Sequence, residues 1–255
     1  MHRFFVEPAL LTSQASPAIV SLPKDLAHQV RDVLHLQVNE QLILLDNSGD
    51  ETLAAVTHIS KAAVIVRLLE RRAGKRESPV HIILCQGLLK SARFEWILEK
   101  GTELGVAAFS PILTRRSMAG LEEIGASKVQ RWRRIIQEAA EQCGRARLPE
   151  LLPVRPLIHA LNDIPPGSLS LMPWEEEHAL SLRDALTAFH SQPLQLSGQS
   201  LTVTLFIGPE GGLMAEEVAL AQRHGAQAVS LGPRILRAET ASLAAVANVM
   251  YELEG

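Results

Sequence analysis

Two short stretches concentrate the residues able to do chemistry. Leu231–Ala241, LGPRILRAETA, sets Gly232 and Pro233 after a short apolar run, arginines at 234 and 237, and Glu239–Thr240 just before an Ala-rich apolar segment. Gly208–Leu213, GPEGGL, follows the apolar run ending at Ile207. Gly and Pro punctuate the backbone and Thr caps helices, so the first stretch predicts strand, tight loop and helix start, with Thr240 as the cap. A helix start offers unpaired N–H groups to anions and polar ligand atoms, and a guanidinium can hold an oxygen that gains negative charge. Gly211 and Gly212 leave room for the main chain to approach a flat or extended ligand closely. Taken alone, either stretch reads equally as a surface connection with solvated arginines, so context decides.

The elements that must position these loops alternate. From residue 80 onward, Val80–Cys85, Phe109–Thr114, Leu169–Met172, Leu201–Ile207 and Ala228–Leu231 read as strands. Helices are expected from Ser91 to Gly105, from Ser127 to Gly144, over Glu216–His224 and over Thr240–Tyr251, with a loop-rich interval containing Glu175–Glu177 between the strands at 169 and 201. Alternation of this kind predicts an α/β domain with a largely parallel sheet covered on both faces. In such sheets ligands gather at loops leaving the carboxyl ends of strands, where both special stretches fall. No GxxxxGK[ST] and no GxGxxG with a following acidic residue occurs, which argues against ATPase and dinucleotide chemistry. Residues 1 to about 70 differ: Gln41–Asp46, Thr52–Ile59 and Ala62–Leu69 predict a β meander or small barrel, with a short helix over Leu26–Leu36. The polar stretch Glu70–Pro79 reads as linker, giving domains 1–72 and 73–255.

Composition narrows the class. At 255 residues, 47% hydrophobic and 21% charged, the chain suits an ordinary globular protein. The two cysteines, Cys85 and Cys143, lack CxxC spacing, so neither a disulfide framework nor a cysteine-based zinc site is expected, and His28 and His35 read as surface histidines. No run of ~20 apolar residues occurs, so a cytoplasmic, non-membrane protein without a metal is expected. Residues 1–155 hold 21 Lys and Arg against 17 Asp and Glu (+4), while the last 100 hold 4 against 11 (−7). Basic clusters concentrated in one part suit a polyanionic partner.

FIGPEGGLMAEEV followed by LGPRILRAETAS resembles the C-terminal signature of the RsmE family, the 16S ribosomal RNA (uracil-N(3))-methyltransferases of the SPOUT superfamily. LLKSARFEWILEKGTELGV and EAAEQCGRARLPEL are similar to two further family blocks, and HRFFV and LLDNSGD to its small PUA-like RNA-binding domain. The resemblance spans essentially the whole chain. It departs at His35, where the family pattern has Arg, and at Asn39–Glu40, in place of Gly-Asp. The resemblance implies a SPOUT-like C-terminal domain with a trefoil knot, a small N-terminal PUA-like β-barrel, S-adenosylmethionine as cofactor, a homodimer, and 16S ribosomal RNA or the 30S subunit as partner.

Carried onto these positions, the resemblance assigns Ile207, Gly208, Glu210, Gly211 and Gly212 to one cofactor loop and Leu231, Gly232, Ile235, Leu236, Ala238 and Thr240 to the other, with Met172 and Pro173 lining the methionine end. Ile235 and Leu236 would shape an adenine slot or serve only structurally. The nitrogen between uracil's two carbonyls is protonated at neutral pH, so the site must stabilise its anion or remove the proton. Arg237 is expected to do the former, since guanidinium is a poor base. Arg234 would bind a phosphate or the same base, and Glu239 is either a proton acceptor or a residue orienting Arg237. Arg3, Arg31, Arg115, Arg116 and Arg145 are the expected RNA contacts. Two rival readings share some of these features: another SPOUT RNA methyltransferase, for example one acting on a ribose 2′-hydroxyl, and a non-catalytic RNA-binding assembly factor.

Overall fold

Alternating apolar residues build the first unit around a five-stranded sheet. The computed structural model describes residues 1–12, 18–117, 124–191 and 201–254, and its contacts group Met1–Glu77 with Gln137–Leu148 as one unit and Ser78–Ile136 with Pro149–Gly255 as another. The first contains β1 (Arg3–Phe5), β2 (Ile19–Ser21), α1 (Lys24–His28) running into a π-turn (Gln29–Val33), β3 (Gln41–Leu45), β4 (Asp50–Ile59) and β5 (Val64–Ala73). Its strand order is β1-β3-β4-β5-β2, with β1 parallel to β3 and the other pairs antiparallel. Successive strand side chains point to opposite faces. Leu42 and Leu44 accordingly join Phe4, Val30, Val56 and Val66 in one cluster, while Ile43 and Leu45 meet Ala146 on the other face.

The stretch expected to be linker is partly strand. β5 continues to Ala73, so the 72/73 division falls inside it; Arg71 is ion-paired with Asp46 and Asp50, and Arg72 with Glu51. Pairing with β4 overrides the polar composition. Asn39 has φ +75°, a conformation Asn tolerates and Gly favours, so the Asn39–Glu40 departure preserves the turn. His35 takes φ +52°.

The second unit contains β6 (Val80–Gly87), α2 (Ser91–Glu103), β7 (Val106–Leu113), α3 (Ala126–Cys143, whose last residues group with the first unit), β8 (Glu150–Leu151), β9 (Arg155–Pro156) and α4 (Leu157–Asn162). Then come β10 (Leu169–Pro173), α5 (Leu182–His190), β11 (Leu201–Ile207), α6 (Ala215–Arg223), β12 (Gln227–Val229) and α7 (Ala238–Leu253). The sheet runs β12-β10-β11-β6-β7-β8, with β9 also on β7, and its pairings are parallel. Ile82, Leu84, Val203 and Leu205 face a core shared with α2, α5 and α7; Cys85 and Phe206 face a second core shared with α4 and α6. The expected doubly covered parallel sheet is therefore present.

Two expectations are corrected here. The interval before residue 201 contains α5, capped by Ser181, which accepts from the Asp184 amide, and burying Leu182, Ala185, Leu186 and Phe189; positions 192–200 of that interval lie outside the described residues. Helix α7 opens at Ala238 with Arg237 at the cap position, so Thr240 lies within the first turn and does not cap it. The loop delivers Arg237 in an extended conformation, φ −65° and ψ 153°, and its carbonyl accepts the Ala241 amide at 2.8 Å. The helix begins without a side-chain cap.

Candidate functional site

Three loops leaving β10, β11 and β12 enclose a cavity of about 430 Å³, with Arg93 of α2 at its edge. Strand order brings them together: β10 lies between β11 and β12, so residues distant in sequence leave the sheet side by side. The first loop gives Pro173, Trp174 and Glu175; the second gives Ile207–Leu213; the third gives Ser230–Ala238.

The second loop is fixed by close approaches. Gly212 closes a turn by donating to the Pro209 carbonyl at 2.9 Å and has φ +73°, while a Cβ there would lie 2.6 Å from Glu175 Oε1. Gly87, at the end of β6, faces the same loop: a Cβ would stand 2.6 Å from the Pro209 nitrogen. Gln86 is 1% exposed and donates to the carbonyls of Gly87 at 2.9 Å and Gly208 at 3.3 Å. Its own side-chain carbonyl accepts from the hydroxyl of Ser242 on α7. Arg116 donates to the Gly211 carbonyl at 2.8 Å, and the Glu217 carboxylate accepts from the Arg115 and Met214 amides, both at 2.9 Å.

The third loop carries the charged groups. Arg234 and Arg237 both line the cavity and, among the described residues, neither makes an ion pair. Glu239 has its Oε1 3.6 Å from Arg93 Nε, so among the described residues its cationic partner is Arg93. Apolar Leu231, Leu236 and Ala241 form part of the wall, and Ile235 projects with 87% exposure. Glycine main chain, apolar wall and the carboxylates of Glu175 and Glu210 fit a ligand with a flat apolar part and a cationic part.

The remaining expected residues are dispersed. Met172 is 1% exposed within the core beside Phe206, and Thr240 faces outward on α7; neither lines the cavity. Arg31 donates to Asp32 and to the Ser60 and Lys61 carbonyls, which holds the Asp32 carboxyl down at about 2. Arg3 is mostly buried beside Glu51. Arg145, expected to grip RNA, is 7% exposed and ion-paired with Glu77 at 3.0 Å, so its guanidinium is committed to the fold. Arg115 keeps an exposed side chain. Cys85 is buried, which pushes its thiol up to about 12 and removes it as a nucleophile. No cluster of metal-ligating side chains occurs among the described residues.

Sequence reasoning missed Arg93, Trp174, Glu175 and the Gln86–Ser242 pair. Arg93 stood within the block SARFEWILEK, and Trp174–Glu175 directly follow Met172–Pro173, so position next to a motif was the available signal.

Comparison with known proteins agrees with this geometry. The family described as an RNA methyltransferase domain matches residues 76–250. Ribosomal RNA small subunit methyltransferase E of Bacillus subtilis (strain 168) is 32% identical over 255 residues, covering 100% of this chain and 98% of that protein. The crystal structure of a ribosomal RNA small subunit methyltransferase E from Neisseria gonorrhoeae, bound to S-adenosyl methionine, superposes with a TM-score of 0.84 at 31% identity, covering 98% of this chain and 97% of that one. A putative methyltransferase from Legionella pneumophila in complex with the same cofactor gives 0.77 at 29% identity over 98% and 96%.

Proposed function

The chain belongs to the ribosomal RNA small subunit methyltransferase E family, and from that premise we propose that it methylates N3 of a uridine in 16S ribosomal RNA, using the cavity of the three loops as its S-adenosylmethionine site. The enzyme is an S-adenosylmethionine-dependent methyltransferase of small-subunit ribosomal RNA. The observation that carries the site assignment is that Arg237, at the start of α7, borders the same cavity as the GPEGGL turn.

The bound cofactor supplies an electrophilic methyl on a sulfonium. The chain's own residues do the rest. Gly208, Gly211 and Gly212 present main chain to the ligand, Leu231 and Leu236 shelter its apolar ring, and the Glu175 and Glu210 carboxylates favour its positive charge. Arg237 binds a uracil carbonyl oxygen and stabilises the negative charge that develops as N3 releases its proton to solvent, so that the N3 lone pair takes the methyl as its bond to sulfur breaks. Arg234 holds the neighbouring phosphate. Glu239, paired with Arg93, is placed as a positioning group.

The finer family features are part of the same reading. The order β12-β10-β11-β6, with α7 returning to pack beside β6, β11 and α2, is consistent with a trefoil knot. The five-stranded first unit is read as the PUA-like RNA-binding domain, with Arg115 as a further RNA contact. Exposed Trp96 and Tyr251 are apolar surface that a homodimer interface would cover. No helix among the described residues is long and apolar enough to cross a membrane, which suits work on ribosomal RNA in the cytoplasm.

The test is labelled S-adenosylmethionine incubated with unmodified small subunits and with naked 16S RNA, followed by digestion and mass analysis of the nucleosides. Label in 3-methyluridine is the expected result. Label in a 2′-O-methyl nucleoside would move the reaction to the ribose, and transfer to neither substrate would refute the assignment.

A further inference from the structure

Arg93 extends from the first turn of α2 and reaches two loops from distant parts of the chain. Its Nη1 donates to Glu210 Oε1 at 3.2 Å, and its Nε lies 3.6 Å from Glu239 Oε1. Glu210 belongs to the GPEGGL turn, and Glu239 sits in the first turn of α7, two residues after Arg237. A planar guanidinium offers donors in a fixed fork, so it can hold two carboxylates at a set separation. Glu239 is partly buried, with 14% side-chain exposure, and its Oε2 is shielded from solvent with no hydrogen-bond partner among the described residues. Without Arg93 both acids would lose the cation they share, and like charges near each other repel.

We infer that Arg93 is a positioning residue for the methyl-donor pocket: it ties the GPEGGL turn to the start of α7 and thereby sets affinity for the donor. The inference rests on that pocket being the S-adenosylmethionine site. Arg93 lines the cavity edge, and its side chain is 42% exposed, so the pair contributes little to overall stability and much to local geometry. The reaction itself is left to Arg237.

Full-length Arg93→Gln and Arg93→Lys are compared with wild type by calorimetric titration with S-adenosylmethionine and its demethylated product, by steady-state kinetics and by thermal melting. Arg93→Gln is expected to bind both ligands about tenfold more weakly. KM for the donor should rise in proportion while kcat at saturation stays within about twofold, as for a lost ground-state contact. Tm should move by no more than about 2 °C, and Arg93→Lys should recover part of the affinity. Combined with Glu210→Gln, Arg93→Gln should lose less than the sum of the two single losses, because both substitutions remove the Arg93–Glu210 contact. Wild-type affinity in Arg93→Gln, full additivity with Glu210→Gln, or a loss of kcat at unchanged KM would each overturn the inference. So would a large fall in Tm that Arg93→Lys fails to reverse, which would assign Arg93 to folding. Failure of the wild-type protein to bind S-adenosylmethionine is a different result and would remove the pocket assignment itself.

Discussion

The hydroxyl of Ser242, buried on α7, donates to the side-chain carbonyl of Gln86 at the end of β6, and the Gln86 amide in turn holds the Gly208 carbonyl. One side chain thus links the last helix to the turn on which the ligand cavity depends. Ser242→Ala leaves the Gln86 oxygen buried and unsatisfied, which costs about 1–3 kcal/mol. Urea unfolding should show that loss, accompanied by weaker S-adenosylmethionine binding in calorimetry; unchanged stability and affinity would mean the link is dispensable.

Arg237→Lys keeps the positive charge and loses the planar fork. Cofactor affinity should stay within about threefold of wild type, while turnover falls by a factor of about 10² or more, the scale of losing a preorganised donor to a developing oxyanion. Single-turnover assays with saturating donor measure this. Wild-type turnover would demote Arg237 to a bystander.

Arg115 and Arg145 should separate cleanly, although both were expected to contact RNA. Arg115→Ala should weaken RNA binding and lower the salt slope by about one, with the melting temperature unchanged. Arg145→Ala breaks the buried pair with Glu77 and should cost about 2–4 kcal/mol of stability. RNA titrations at several salt concentrations, beside denaturant curves, distinguish the two. A destabilised Arg115 variant or a stable Arg145 variant would contradict the geometry.

Glu141 gives a pH prediction. Burial raises its carboxyl above the ordinary glutamate value, although it accepts from the Phe5 amide at 3.0 Å and from Gln137. A raised carboxyl binds its proton more tightly in the folded state than in the unfolded state. Its favourable contribution is therefore fully present below the unfolded pKa and is lost as pH rises through the folded one. Glu141→Gln should be more stable than wild type at neutral pH, and that advantage should vanish in acid below the ordinary glutamate range. Denaturation curves across pH 3–8 would show the two proteins converging in acid; a pH-independent difference would contradict the account.

Much of the candidate site was legible because it is local. The punctuation of GPEGGL and LGPRILRAE marked two loops at strand ends, and the strand Leu201–Ile207 was read with the bounds it has. What escaped is set by neighbours distant in sequence. Nothing near Gln86 announces that its partner will be Ser242, and nothing near Arg93 announces Glu210 and Glu239. Thr240 looked like a cap because its residue type is a good one, yet the backbone path through Arg237 starts the helix earlier. Arg145 looked like a phosphate ligand because charge normally faces water, yet Glu77 supplies its counter-charge inside the fold. Helix α5 is a plainer miss: Leu182, Ala185, Leu186 and Phe189 carry helical spacing behind a Ser cap, overshadowed by the acidic run before them.

The neighbouring positions of β10, β11 and β12 also bear on how the protein is made. Chains grow from the N-terminus, and folding during synthesis follows that order. The GPEGGL turn emerges with β11, but the wall opposite it belongs to the loop after β12 and the first turn of α7. A nascent chain can therefore pair its central strands before the walls of this cavity are all present. On the proposed reading of this cavity, the donor site is complete only once α7 has seated Ser242 against Gln86.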